Sequence, residues 1–130
     1  EGAFVYGPQI EKNYRVFPFL KEEELKNAYA VSDLIVSRAG SNIFETAALK
    51  KPALLVPFPY SAGDHQRLNA AEFAKFGAII LEEQNLKLHI LIDQIERLLD
   101  NYSIGESIGR FAKLEAGETI AGEILESLKI

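Results

Sequence analysis

The feature that most constrains this chain is a set of short apolar runs that do not alternate. The segments "DLIVS" (Asp33–Ser37), "ALLVPF" (Ala53–Phe58) and "AIIL" (Ala78–Leu81) each hold at least three consecutive apolar residues, and helix-length stretches separate them. A strand with one wet face alternates apolar and polar side chains. A nearly continuous run implies cover on both faces, as in a parallel sheet with helices above and below. Two earlier runs, "AFVY" (Ala3–Tyr6) and "YRVFPF" (Tyr14–Phe19), read as further strands. Pro57 and Pro59 close the fourth run, because proline donates nothing to a ladder.

The intervening segments carry helical periodicity. Lys21–Val31 places Leu25, Ala28 and Tyr29 on one face, and Asn42–Leu49 does the same with Ile43, Phe44, Ala47 and Ala48. Asp64–Phe76 opens on an aspartate suited to capping and stops before Gly77. Lys87–Leu99 is the clearest helix, with Leu88, Leu91, Ile92, Ile95, Leu98 and Leu99 along one stripe. A weaker pattern around Ile108–Leu114 precedes a last helix over Glu118–Leu128. The order β-β-α-β-α-β-α-β-α-α predicts an α/β fold, a Rossmann-like doubly wound parallel sheet in one domain over residues 1–130. Ligands of such sheets bind at the carboxyl ends of the strands. The tips to inspect therefore follow Phe19, Ser37, Phe58 and Leu81.

Bulk properties narrow the chemistry. A formal net charge of −5 argues against a nucleic-acid partner. No apolar run approaches the roughly 18 residues of a membrane span, and "EGAFVYG" lacks the charged and apolar regions of a signal peptide. With no cysteine and two histidines, neither a disulfide framework nor a zinc site is expected. The chain begins at Glu1 and contains no methionine, which points to a fragment or a processed product.

The tip after Ser37 reads "SRAGSNIFE". Gly40 permits a sharp turn and a close approach to the backbone. The amides of Ser41, Asn42 and Ile43 would then head a helix, a natural anion site, with Arg38 able to add a charge-assisted contact. Asn42-x-x-Glu45 also matches a capping box, in which Glu45 would only satisfy an amide. Both readings stand on the residues alone. The tip "PFPYSAGDHQRLNA" (Pro57–Ala70) leads into a helix bearing His65, Gln66, Arg67 and Asn69. These groups suit a hydroxyl-rich ligand, although a solvent-exposed His65 is the plainer alternative. At "FPFLKEEE", Phe19 and Leu20 would form a slot for a flat ring, or simply core, and Glu22–Glu24 favourable charge at a helix start. No nucleophile elbow, Walker loop or Gly-x-Gly-x-x-Gly turn is present.

In this order the tips resemble the C-terminal, donor-binding half of MurG-type glycosyltransferases. "RVFPFL" and the long stretch "AYAVSDLIVSRAGSNIFETAALKKPALLVPFPYSAGDHQRLNAAEFAKFGAIIL" carry the resemblance, with a weaker tail to "EILESL". It implies half, here incomplete, of a GT-B architecture, and transfer of N-acetylglucosamine from UDP-GlcNAc to a lipid-linked muramoyl-pentapeptide in peptidoglycan synthesis. By position, the Leu20 backbone beside Phe19 would read uracil, and Gly40, Ser41, Asn42 and Ile43 would hold the diphosphate. Glu45 would accept from the ribose hydroxyls, and His65 and Gln66, with Asn69 behind, would face the sugar. The resemblance implies an inverting displacement without metal or cofactor, and a cytoplasmic enzyme peripheral to the plasma membrane.

Two departures from the family stand out. The family usually spaces the arginine and the helix carboxylate by eight residues, and here Arg38 and Glu45 are seven apart. One residue is about 100° of helix rotation, so the ribose role of Glu45 stays open. The acceptor-binding N-terminal domain, with its general base, is also missing, so no catalytic residue is assigned and the chain alone is not expected to catalyse transfer efficiently. Two other readings remain: a donor-binding subunit that docks on a membrane-bound partner chain, as in the two-chain eukaryotic transferase acting on dolichyl-diphosphate-GlcNAc, or a truncated or redesigned α/β scaffold without activity.

Overall fold

The structure, a computed structural model, describes residues 14–101 and 103–128. Its elements in order are α1 (Glu22–Val31), β1 (Ile35–Ser37), α2 (Asn42–Ala48), β2 (Ala53–Leu55), α3 (His65–Ala74), β3 (Ile79–Ile80), α4 (Leu88–Leu99), α5 (Ser103–Gly109) and α6 (Ala116–Ser127). Short 3-10 turns at Ala62–Asp64 and Glu83–Asn85 precede α3 and α4. The expected strand at Ala3–Tyr6 lies outside the described residues.

The three strands form a parallel sheet in the order β1-β2-β3, with Val36 beside Leu54 and Leu54 beside Ile79. Single ladder bonds extend the pairing, from the Val56 N–H to the Ser37 carbonyl and from the Leu81 N–H to the Leu55 carbonyl. The central strand explains its own composition. Ala53 and Leu55 face a core with Ile43 and Ala47 of α2, Ala70 and Phe73 of α3, and Ile108 of α5. Leu54 and Val56 face the other way, onto Leu98 of α4 and Leu81. Both faces are therefore covered, as the unbroken apolar run predicted. Phe111 closes the first core, with its ring 4.9 Å from Phe73 and stacked 5.3 Å from Phe44.

Two expectations are corrected. Tyr14–Phe19 is not a strand: it pairs with no described strand, and Tyr14, Phe17 and Phe19 are exposed. An apolar run becomes a strand only beside a partner edge, and Pro18 removes one of the donors that such a ladder needs. The helix expected near Ile108–Leu114 instead occupies Ser103–Gly109. Its glycines argued against helix by propensity. Packing requires them, since a β-carbon on Gly105 would lie 2.3 Å from the Lys50 carbonyl oxygen.

Candidate functional site

Because the strands are parallel, their carboxyl ends share one edge, and three tips meet there. Beyond β1 the chain passes through buried Ala39 into the Gly40 turn. Ile43 and Phe44 donate their N–H groups to the carbonyls of Gly40 (3.3 Å) and Ser41 (3.2 Å). The Ile43 amide expected at the anion site is therefore spent within the turn; Ser41 and Asn42, immediately before it, precede every intrahelical acceptor, so their amides point out of the helix start. Ile43 is fully buried and anchors the turn from beneath.

The capping box is absent. Ser41 is the helix cap, in helical conformation and without a side-chain bond, and the Asn42 carbonyl accepts the Thr46 hydroxyl. Glu45 thus sits one position too late to reach the cap. It lines a cleft of about 440 Å³ between α1 and α2, with Glu22, Leu25, Lys26, Tyr29, Ala48 and Leu49. Burial, and then the negative charge and hydrogen bonding of Glu45, push the Tyr29 phenol above its ordinary pKa. The other carboxylate of the cleft, Glu22, is paired with Lys26 at 2.9 Å, which leaves Glu45 as the one able to accept a diol beside a ring.

Asp64 and α3 also depart from the sequence expectation. Gly63 and Asp64 both take left-handed conformations, with φ of 57° each. The Asp64 side chain makes no cap bond; it lies 3.7 Å from Arg67. Ser61 substitutes for it, its hydroxyl oxygen accepting the Gln66 N–H at 3.3 Å. His65 is exposed and folds its ring back over Gly63, where a β-carbon would meet Nε2 at 3.2 Å.

From α3, two side chains reach the neighbouring tips. Asn69 donates through Nδ2 to the Ala39 carbonyl at 3.1 Å, which pins the start of the Gly40 turn. Gln66 accepts the Phe58 N–H through Oε1 at 2.9 Å, and its NH2 group has no partner among the described residues. Arg38 belongs to the same network. Its Nη1 donates to the carbonyls of Val56 (3.2 Å) and Pro57 (3.3 Å) and pairs with Glu83. The guanidinium carbon lies 5.6 Å over the Phe58 ring.

The structure therefore brings Arg38, Gly40, Gln66 and Asn69 into one bonded assembly. Phe19, exposed, and Leu20, half-buried, join it through no hydrogen bond or aromatic contact among the described residues. Four residues of this edge escaped the sequence reading: Tyr29, Phe58, Glu82 and Glu83. The last two form a pair of clamps after β3, Glu82 holding Arg67 at 3.1 Å and Glu83 holding Arg38. Glu82 also keeps the Arg67 guanidinium above its ordinary pKa. The only advance signal was position, since "LEEQN" follows a strand tip.

Residues 4–110 match the glycosyltransferase family 28 C-terminal domain. Two similar proteins share one description, UDP-N-acetylglucosamine--N-acetylmuramyl-(pentapeptide) pyrophosphoryl-undecaprenol N-acetylglucosamine transferase. That of Trichlorobacter lovleyi is 39% identical over 120 residues, covering 88% of this chain and 31% of the relative. That of Halothermothrix orenii is 34% identical over 128 residues, covering 94% and 34%. The crystal structure of Acinetobacter baumannii MurG superposes with a TM-score of 0.74 at 29% identity, over 86% of this chain and 33% of that one. The chain thus spans about a third of the length of the relatives it matches.

Proposed function

Because this chain belongs to the glycosyltransferase family 28 C-terminal domain family, we propose that it is the donor-binding domain of a UDP-GlcNAc-dependent transferase. The reaction is transfer of N-acetylglucosamine to lipid-linked muramoyl-pentapeptide. The observation that carries this is the 39% identity to a relative of that description over 88% of the chain.

In this reading the Leu20 backbone and Phe19 take uracil, and the Glu45 carboxylate takes the ribose hydroxyls from the cleft it shares with Tyr29. The open amides of Ser41 and Asn42 receive the diphosphate, with Gly40 allowing approach and Ile43 bracing the turn. Such preorganised donors stabilise negative charge as it gathers on the departing UDP. His65 and the free NH2 of Gln66 face the sugar, and Asn69 acts from behind through Ala39. The acceptor hydroxyl displaces UDP with inversion, assisted by a base outside this chain. The remaining two thirds of the relatives' length supplies the acceptor site, so the isolated domain binds donor and turns over poorly. The complete enzyme works at the cytoplasmic face of the membrane; no helix among the described residues is long and apolar enough to cross it.

Calorimetry of the isolated chain with UDP and UDP-GlcNAc tests this. Binding of both supports it, and no heat from either at millimolar concentration refutes donor binding by this chain.

One observation favours a second arrangement, a donor-binding subunit paired with a separate membrane-bound chain. Helix α6 buries none of its side chains and, with its C-cap Leu128, exposes Ile120, Ile124 and Leu125, an apolar surface that fits a partner. Co-purification of the chain with a membrane protein from its native source supports this arrangement. A clean monomer that retains donor binding counts against it.

A further inference from the structure

We infer that Arg38 is a positioning residue for the sugar-facing loop and not a ligand of the diphosphate, an inference that rests on the donor-site reading above. Arg38 leaves β1 beside the Gly40 turn, where a cation would ordinarily be credited to phosphate. Its Nη1 is already committed three times, to the Val56 carbonyl, the Pro57 carbonyl and the Glu83 carboxylate. The paired carboxylate offsets its charge, and the Phe58 ring covers the guanidinium from one side.

These contacts act on the exit from β2. The carbonyls held by Arg38 belong to the two residues before Phe58, and the Phe58 N–H holds Gln66 Oε1 at 2.9 Å. That bond fixes the Gln66 amide, with the oxygen spent on Phe58 and the NH2 unbonded among the described residues. An unheld Gln66 would rotate and present either atom. Arg38 thus sets the donor polarity of a side chain it does not touch, and Glu83 holds Arg38 in that role from beyond β3. Arginine suits the role because its flat, charged head meets two carbonyls and a carboxylate through Nη1 while lying over a ring face.

The test compares wild type, Arg38→Ala and Glu83→Gln by calorimetry with UDP and with UDP-GlcNAc, and by amide hydrogen exchange at Phe58 without ligand. Positioning predicts that both variants lose roughly five- to tenfold in UDP-GlcNAc affinity while UDP affinity stays within about twofold. It also predicts faster Phe58 exchange in both variants. A direct phosphate ligand behaves oppositely: Arg38→Ala weakens both nucleotides equally, and Glu83→Gln, by releasing the guanidinium, tightens UDP. Either of those results overturns the inference, as does unchanged Phe58 exchange. If wild type binds neither nucleotide, the donor-site reading falls, and the ligand-free exchange still decides whether Arg38 holds the Phe58–Gln66 bond.

Discussion

The Asn69 side-chain amide donates to the Ala39 carbonyl across 30 residues of sequence, joining α3 to the turn that opens α2. Ala39 is fully buried, so its carbonyl has little recourse to water once that donor is gone. Asn69→Ala should therefore cost about 1–3 kcal/mol in urea denaturation and should weaken UDP through the loosened turn. A variant as stable as wild type would show that another donor takes the carbonyl.

Glu45→Ala separates stability from binding. No cap bond is lost with it, and its contact with Tyr29 is made from an exposed position, so unfolding free energy should change by no more than about 1 kcal/mol. UDP affinity should fall much further than that of an analogue lacking the ribose hydroxyls. Equal losses for the two ligands would remove Glu45 from the ribose.

The Tyr29 phenol gives a pH signature. Its folded pKa stands above the ordinary 10.0, so above that value the unfolded chain releases a proton that the folded chain keeps. The contribution is complete below the unfolded pKa and is lost as pH rises through the folded one. Tyrosinate absorbance of the folded chain should show a late-titrating component that Tyr29→Phe removes. Glu45→Gln should move that titration down without restoring the ordinary value, because burial, the largest single cause, remains.

Gly105→Ala tests the packing of α5 on the loop after α2. The new β-carbon meets main chain at 2.3 Å, where no flexible side chain can give way. Overpacking of this kind costs about 1–3 kcal/mol, measurable as a lower urea midpoint. An unchanged midpoint would mean that the α5 contact relaxes freely.

Much of the fold was readable in sequence where local pattern and burial coincide. The unbroken run at Ala53–Val56 announced two covered faces, and those residues do divide between two cores. The stripe of Lys87–Leu99 announced α4 almost to the residue. Tyr14–Phe19 misled because apolar content alone does not supply a neighbouring strand. Asp64 misled because a good capping residue in left-handed conformation cannot aim its carboxylate at the helix start.

Local sequence pattern thus carried the α/β class, the order of the tips and the residue types available at the ligand-facing edge. Periodicity and turn chemistry act over a few residues, and those properties follow from them. Which group bonds to which follows from the packed fold. Glu83 reaches Arg38 from 45 positions away, and Glu45 turned toward Tyr29 instead of its own helix cap. Hydrogen bonds and ion pairs depend on distances of a few ångströms between segments that are remote in the chain. Those distances exist only once the sheet has set its register and the helices have packed against it.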